Sequence, residues 1–493
     1  MIAQQFPALQ VVVPLIAAPA CVILRDARVA WMIALVVTWA ALGMALTILH
    51  QVLEGGTISY LLGDWAAPWG IEYRIDMVNA FLLVIVTTIG SVVIPYARAS
   101  VEAEIPAPRV YLFYCMYLLN LAGLLGIVIT GDVFNLFVFL EISSLSSYVL
   151  ISLGKDRRAL TAAYRYLVMG TIGATFYIIG VGMMYMMTGT LNMADLATLM
   201  PAVIETRTIH VALAFLTVGL SLKLALFPLH VWLPNAYTYA PSTVSAFMAA
   251  TGTKVAVYAL LRIVFTVFGA VDLLTVADAR EMLMALAAAA MIGASATAIY
   301  QNNVKRVLAY SSIAQIGYMV LGISIASVTG LAGTIVHLFN HALMKAGLFM
   351  VLGCVFLRIG SVMLPDMEGL GRRMPFTMAA FVAGGLSLVG VPTSVGFISK
   401  WYLVQAALER GWWPLVVVIM VTSLLAVIYI WRIVEAAYFR PPRAGAAAVE
   451  EAPLSMLVPT WIMIGAAYYF GIDATRTLDI AVGAAETLLG GLQ

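Results

Sequence analysis

The sequence predicts an all-α polytopic membrane protein with about fourteen transmembrane helices. Among the 493 residues 63% are hydrophobic, only 10% are charged, and the mean hydropathy is +1.01. Soluble domains are only about half apolar, so this composition excludes a soluble globule. The longest polar stretches, such as residues 440–453, are loop-sized, and we therefore expect one membrane domain over residues 1–493. Nothing in the composition supports nucleic-acid binding.

Spanning helices are expected wherever about 20 consecutive residues are mostly apolar. The segments that meet this condition are residues 6–24, 30–52, 77–97, 109–130, 132–153, 160–188, 209–229, 241–269, 281–300, 304–325, 328–357, 375–408, 411–439 and 454–472. The first span lacks the basic residues that open a secretory signal, so we expect it to be retained. The residues after 472 are mildly amphipathic and fit either a short interfacial helix or a frayed tail.

Lysine and arginine are distributed unequally over the predicted loops. One set of alternate loops carries fourteen of these residues, and the opposite set carries four. Cytoplasmic loops carry the excess of basic residues, so the asymmetry predicts that both termini lie on the non-cytoplasmic side. A miscounted span would scramble this partition, and the asymmetry therefore also supports the number of helices.

Two predicted spans contain proline-rich interruptions, LFPLHVWLP at residues 226–234 in the seventh and GVPTSVG at 390–396 in the twelfth. Proline removes a backbone donor and opens the helix. Corresponding breaks in the two halves of a transporter indicate an ion path and an internal repeat. Five spans separate the breaks, which predicts two inverted five-helix repeats. The expected regions are three N-terminal helices (1–108), a first repeat (109–269), a second repeat (281–439), and a last helix with its tail (454–493).

Few ionisable residues lie deep in the predicted spans. Glu141 is the one carboxylate there that needs an internal partner. The deep bases are Lys223, Lys254, His337, His341, Lys345 and Lys400. A charge at the centre of a membrane helix costs about 2.5–3.5 kcal/mol even on lenient scales, which makes these residues functional candidates. His337, His341 and Lys345 recur at every fourth position, so they lie along one face of a helix.

This combination of one acid and several buried bases predicts proton translocation. Burial favours a neutral lysine and a nearby carboxylate favours a charged one, so a Glu141–Lys223 pair that opens and closes acts as a proton gate. Histidines titrate near neutral pH and can pass protons on. His230 fits equally a relay member or a polar patch for carbonyls that the broken helix exposes. Arg262 lies close to a span end and is expected to be an interfacial anchor.

The motifs that carry these residues resemble a known family, the antiporter-like membrane subunits shared by Mrp cation/proton antiporters, membrane-bound hydrogenases and respiratory complex I. The resemblance runs from about residue 75 to 440. Its motifs are GDVFNLFVFLEISSLSSYVLISLG with Glu141, LKLALFPLHVWLPNAYTYAPSTVSAFMAATGTKVAVYALLR with Lys223 and Lys254, QNNVKRVLAYSSIAQIGYM, HLFNHALMKAGLF with His337, His341 and Lys345, and GVPTSVGFISKW with Lys400. It implies a fourteen-helix fold with inverted repeats and broken seventh and twelfth helices.

The resemblance also implies roles for these side chains. Glu141 would pair with Lys223, and Lys254 would be the central relay base. Lys345 with His341 would connect toward Lys400, the terminal proton donor or acceptor.

Within the family, TGTLNMADLA at 188–197, LGDWAAPWGIE at 62–72 and the lysine at 400 are most similar to the D-type subunits of Mrp antiporters. The loop LHVWLPNAYTYAPSTVSA around His230 instead resembles the hydrogenase and complex I versions.

The sequence therefore favours a secondary-transporter subunit that moves protons within a multisubunit Na⁺(cation)/H⁺ antiporter, in contact with other membrane subunits and the lipid bilayer. A Na⁺ site needs several oxygen ligands and the deep residues offer only Glu141, which favours proton movement here and cation handling by a partner. The alternative is a proton-pumping subunit of a complex I-type NADH:quinone oxidoreductase or a membrane-bound hydrogenase. A stand-alone carrier of an organic solute ranks third, because it would need a larger polar cavity.

We expect no cofactor and no metal, because the three cysteines lie in apolar runs and no haem or iron–sulfur ligand pattern occurs. The expected location is the inner membrane of a prokaryotic cell.

Overall fold

The computed structural model describes residues 2–269, 279–443 and 449–490, and these are nearly all helical. Its helices are α1 (Phe6–Leu24), α2 (Ala27–Gly55), α3 (Met77–Glu104), α4 (Val110–Ile129), α5 (Val133–Ser152), α6 (Arg158–Thr188), α7 (Met193–Val203), α8 (Arg207–Leu224), α9 (Leu233–Tyr239), α10 (Ser242–Ala250), α11 (Gly252–Leu261), α12 (Ala279–Ile299), α13 (Val304–Ile325), α14 (Val328–Ile359), α15 (Leu370–Arg373), α16 (Pro375–Val389), α17 (Val395–Glu409), α18 (Trp413–Phe439), α19 (Leu454–Ile472) and α20 (Thr475–Gly490). A π-helical segment, Arg262–Val267, continues α11, and a hairpin of β1 (Ile58–Leu61) and β2 (Glu72–Ile75) is the one sheet among the described residues.

The number of membrane crossings agrees with the prediction. Thirteen helical stretches of the described chain are long and apolar enough to cross a membrane. The remaining predicted crossing is the twelfth, which the structure divides into α16 and α17 with 15 residues each. A crossing needs about 20 residues, so neither half spans alone and the two together supply one crossing. The fold class is therefore confirmed, with the small hairpin as an addition that the sequence did not predict.

Both predicted helix breaks are present, and a third occurs. After α8 the chain turns at Ala225, whose φ is +61°, and becomes helical again at Leu233. After α16 it turns at Gly390, whose φ of +92° suits a residue without a Cβ atom. The eighth span, expected to be continuous over residues 241–269, is interrupted at Thr251 between α10 and α11.

An isolated backbone bridge occurs at the same place in each half of the chain, Asp132–Asn192 in the first and Asn303–Met363 in the second. Each joins the residue before the repeat's second helix to the segment after its third. Each contains two N–H···O bonds, of 2.9 and 2.8 Å: Val133 to Leu191 and Met193 to Gly131 in one, Val304 to Val362 and Leu364 to Asn302 in the other. Five crossings separate α5 from α13, so the bridges lie at opposite membrane faces, as inverted repeats require.

Helix α14 lies at the centre of the protein, since every residue from Gly330 to Val355 is buried. The C-terminal helix α20 packs against α14 and α3 and buries one face. The segment after residue 472 therefore forms a packed helix rather than a frayed tail, and residues 491–493 lie outside the described part of the chain.

Candidate functional site

Lys223 and Glu141 form the ion pair that the sequence predicted. Lys223 lies in the last turn of α8, directly before the break. Its Nζ donates to Glu141 Oε1 at 2.9 Å and to Ser144 Oγ at 2.7 Å. The lysine side chain is 4% exposed and that of Glu141 is 23% exposed. Glu141 and Ser144 are three residues apart on α5, so both face the same ammonium group.

Two further lysines bind backbone carbonyls at helix breaks. Lys400 Nζ donates to the carbonyls of Leu388 and Val389, at 3.2 and 2.8 Å, at the end of α16. Lys254 is fully buried and donates to the carbonyl of Ala249, in the last turn of α10. The carboxyl end of a helix carries partial negative charge and unpaired carbonyls, both of which stabilise a cation. Lys254 and Lys400 therefore share one type of environment, the carboxyl end of a half-helix.

The histidine pair connects α14 to the second break. The rings of His337 and His341 stack at 5.8 Å between centroids. His337 Nδ1 is 2.7 Å from the hydroxyl of Ser399, the residue before Lys400. His337 Nε2 and both ring nitrogens of His341 have no hydrogen-bond partner among the described residues. These buried nitrogens are free to bond water or a proton donor.

Lys345 hydrogen-bonds to α13 and to no described residue of the second break. Its Nζ donates to the carbonyl of Leu308 at 2.7 Å and to the hydroxyl of Ser311, both on α13. The sequence placed Lys345 with His341 on the route to Lys400. In the structure the contact with the neighbour of Lys400 is made by His337. Lys254 lies within electrostatic range of both Lys345 and His341.

A cavity of about 30 Å³ lies between Lys223 and the eighth span, and its largely apolar wall carries several polar groups. It is lined by Lys223, the hydroxyls of Ser144 and Thr253, and the amide of Asn120. A water needs roughly 10–15 Å³ and two to four polar partners, so the cavity suits a small number of water molecules. Organic ligands occupy pockets of about 300–1,000 Å³, far above this volume. The cavity reaches from Lys223 to Thr253, the residue before Lys254 in the chain.

His230 lies in the seventh-helix break, apart from the other predicted residues. Its ring stacks on Phe227 at 5.3 Å and meets Tyr310 edge-on at 6.5 Å between centroids. Within the described part of the chain, no hydrogen bond joins it to another member of the predicted relay.

Arg262 is buried, so the expectation that it anchors the chain at the membrane interface was wrong. It is 6% exposed, and its guanidinium lies 2.5 Å from Asp76 Oδ1. The sequence analysis missed Asp76 and Glu104, both buried, because each adjoins a predicted loop. The motif DMVN could have indicated Asp76 from the sequence. In it Asp76 caps α3, and Asn79, three residues later, completes a capping box.

Residues 130–426 match the family described as NADH:quinone oxidoreductase/Mrp antiporter, transmembrane. The N-type subunit of the NADH-quinone oxidoreductase of Desulforudis audaxviator is 43% identical over 473 residues, which cover 93% of each chain. The D-type subunit of the Na⁺/H⁺ antiporter of Alkalihalophilus pseudofirmus is 30% identical over 454 residues, which cover 92% of this chain and 91% of the relative.

Two solved structures are similar over nearly the whole chain. A chain of the Mrp complex from Dietzia sp. DQ12-45-1b has a TM-score of 0.90 and 25% identity, with 99% of this chain and 98% of that chain covered. A chain of the membrane-bound sulfane sulfur reductase, an archaeal respiratory membrane complex, has a TM-score of 0.91 and 31% identity, with 98% of both chains covered.

Proposed function

Because the chain belongs to the family of NADH:quinone oxidoreductase and Mrp antiporter membrane subunits, we propose that it translocates protons as one subunit of a multisubunit membrane complex. The observation that carries the proposal is the Glu141–Lys223 ion pair, closed at 2.9 Å beside a helix break. A break lets the two halves of a span move separately, and the pair links the first half of the seventh span to α5. Movement at the break therefore changes how firmly Lys223 holds its proton.

In the proposed mechanism, opening of the pair releases the Lys223 proton into water of the small cavity. The proton continues past Thr253 to Lys254, then through His341 and His337. The Ser399 hydroxyl relays it to Lys400 at the second break. Histidine suits the middle of this path because its ring has two nitrogens, so one can accept a proton while the other releases one.

The proposed path needs an external driving force. Separating a buried ion pair is costly, since each charge is left in a medium of low dielectric constant. Moving one charge against the membrane potential adds about 2.3 kcal/mol per 100 mV. A cation gradient or an electron-transfer reaction in a partner protein must supply this energy.

The first candidate for that driving reaction is cation/proton exchange in an Mrp-type complex. The identity with a D-type antiporter chain and the similarity to a chain of the Mrp complex support it. We propose that the protein lies in the inner membrane of a prokaryotic cell with both termini on the non-cytoplasmic side.

The second candidate is electron transfer in a complex I-type or hydrogenase-like assembly. The specific observation in its favour is the 43% identity with the N-type oxidoreductase chain, higher than the 30% identity with the D-type antiporter chain. The measurement that separates the two is proton movement in liposomes that contain the purified complex. Exchange started by a Na⁺ pulse alone supports the antiporter, and proton movement that requires an electron donor and acceptor supports the redox-driven complex.

Replacement of the acid tests the proton-transfer proposal. Glu141→Gln keeps the size of the side chain but leaves Lys223 without an anion. We expect proton transport per assembled complex to fall at least about tenfold, the effect of about 1.4 kcal/mol on a barrier. The matched control is Glu435→Gln, which removes the exposed pair with Arg440 and should have little effect. Wild-type transport by the Glu141 variant would refute the role of the pair.

A further inference from the structure

The third span carries a buried acid at each end. Asp76 is the N-cap of α3 and Glu104 is its last residue. Both residues are 9% exposed, and each one contacts the eighth span. Because α3 and the eighth span each cross the membrane once, the contacts lie at opposite faces.

At the first face, Asp76 holds the carboxyl end of the eighth span. Its Oδ1 accepts a hydrogen bond from the Arg262 guanidinium at 2.5 Å, and Arg262 Nε donates to the hydroxyl of Tyr258 at 2.9 Å. Tyr258 in turn donates to the carbonyl of Val128 on α4 at 2.8 Å. Burial opposes the charged form of Asp76, but the Arg262 guanidinium holds the pKa of this carboxyl below its ordinary value. The contact is therefore an ion pair rather than a neutral hydrogen bond.

At the opposite face, Glu104 holds the amino end of the same span. Both carboxylate oxygens accept the backbone N–H of Ser242, the first residue of α10, at 3.0 Å. A carboxylate at this position satisfies an unpaired donor and stabilises the positive end of the helix dipole. Lys305 on α13 lies 4.0 Å from the same carboxylate, so the contact is itself fixed from a second side.

Between these two contacts the eighth span is discontinuous. The break at Thr251 separates α10 from α11, and Lys254 follows it by three residues. Lys254 reaches back across the break to the carbonyl of Ala249. The relative position of the two half-helices therefore decides whether the ammonium group keeps this partner.

We propose that Asp76 and Glu104 are positioning residues for Lys254, because α3 ties the two ends of the broken eighth span and confines its movement to the Thr251 break. The inference rests on the proposed function, in which Lys254 receives the proton from Lys223. With either tie removed, an entire half-helix shifts, and Lys254 loses its fixed distance to Ala249 and to His341.

A ranking of substitutions at Asp76 separates this role from ordinary helix capping. Asparagine caps a helix about as well as aspartate but carries no charge for Arg262, whereas glutamate keeps the charge and is a poorer cap. We expect proton transport per assembled complex to be highest in wild type, lower in Asp76→Glu and lowest in Asp76→Asn, with the asparagine variant at least tenfold below wild type. Equal activity of Asp76→Asn and wild type, with Asp76→Glu impaired, would mean that Asp76 acts only as a cap.

Asp132 provides the matched control. It is also an N-cap aspartate, on α5, and its carboxylate accepts a hydrogen bond from the backbone N–H of Asn135 at 2.6 Å. It has no ion pair with a described residue. We expect Asp132→Asn to transport protons at the wild-type rate. A loss equal to that of Asp76→Asn would overturn the proposal, since it would show that any charge removed from a cap has this effect.

Hydrogen exchange tests the ties without reference to transport. In the purified complex, Asp76→Asn should increase exchange in peptides from 242–261, and Asp132→Asn should not. Unchanged exchange there would overturn the proposal. If Asp76→Asn fails to assemble, Glu104→Gln at the opposite face can be tested by the same two measurements, proton transport and hydrogen exchange. Lys254→Ala separates failure of the proposed function from failure of this proposal. Normal proton transport by Lys254→Ala would mean that the proposed proton path is wrong. Loss of transport in Lys254→Ala, with normal transport in the Asp76 and Glu104 variants, would mean that only the role of the two acids is wrong.

Discussion

The buried lysines of this protein differ in the oxygen atoms that accept their hydrogen bonds. Lys223 has a carboxylate and a hydroxyl, whereas Lys254 and Lys400 have backbone carbonyls. A carbonyl stabilises an ammonium group less than an anion does, so the contact of Lys223 with Glu141 is the strongest of these hydrogen bonds. A carbonyl at a helix break also moves with the backbone, so in the proposed mechanism movement at the break would change how these lysines bind a proton.

The sequence predicts a functional residue reliably when its side chain could not remain in a membrane span without a partner. Glu141 and Lys223 were identified because a lone charge in a membrane span demands a partner. Asp76 and Glu104 were missed, and Arg262 was misassigned, because residues near a span end have water as an alternative partner. His230 stays a prediction, since a polar residue in a helix break has a structural explanation that the pattern alone cannot separate from a functional one.

Replacement of the neutral partner of Lys223 should have an intermediate effect. Ser144→Ala removes a hydrogen bond of 2.7 Å from the charged group and leaves the Glu141 pair in place. Hydrogen bonds to charged groups contribute about 1.5–3 kcal/mol, which sets an upper limit on the change. We expect a several-fold loss of proton transport, smaller than that of Glu141→Gln, measured as the initial rate in proteoliposomes.

The control for this prediction is Ser152→Ala on the same helix, where the hydroxyl bonds only the carbonyl of Val149. Wild-type transport is expected from it. A larger loss in Ser144→Ala than in Glu141→Gln would show that the hydroxyl, not the carboxylate, is the main partner.

Among the elements, the breaks in the seventh and twelfth spans were predicted because proline marks them. The break in the eighth was not, since its residues, Thr251 and Gly252, are found in continuous membrane helices as well. The hairpin after α2 has short strands without a clear alternation of polar and apolar residues, which makes it indistinguishable from a loop in the sequence. Periodicity and proline thus locate whole helices, while close packing decides where a helix without proline is interrupted.

The twelfth-span break depends on close backbone contact. A Cβ atom added to Gly396 on α17 would overlap the carbonyl oxygen of Ser387 on α16. Gly396→Ala should therefore push the two half-helices apart and displace Lys400 from the carbonyls of Leu388 and Val389. We expect proton transport to be largely lost and the thermal stability of the complex to fall.

Gly182→Ala, in helix α6, is the matched substitution, because apart from the adjacent backbone of its own helix no atom lies within 4 Å of the added Cβ. Its transport and its unfolding temperature should equal or exceed those of wild type, since alanine favours a helix by about 1 kcal/mol over glycine. Equal behaviour of the two variants would contradict the tight fit at the break.

At the scale of the whole molecule, the inverted repeat was predicted from the positions of two breaks rather than from sequence identity. The structure adds a second sign of it in the two matching backbone bridges. Their side chains differ, with Asp132 and Asn303 as the caps that begin α5 and α13. The repeat is therefore preserved in backbone geometry more than in residue identity, and the two halves show little sequence similarity.

The predicted orientation can be measured by labelling. Trp69 lies in the loop between the strands and is 90% exposed, while Arg157 lies in the loop between α5 and α6. Three crossings separate them, so they face opposite compartments. The native cysteines are all buried and should label weakly. In intact cells a membrane-impermeant maleimide should modify Trp69→Cys at once and Arg157→Cys only after lysis; the reverse pattern would invert the topology.

Glu141 also has a side that does not face Lys223. On α5 it lies in line with Phe134, Val138, Leu145 and Val149, all exposed, and its own side chain is several times more exposed than that of its partner. Hydrocarbon against this stripe strengthens the pull of the acid on Lys223, and water or a cation against it weakens that pull. If the pair gates proton transfer as proposed, a molecule bound against this stripe would change the strength of the pair without entering the proton path.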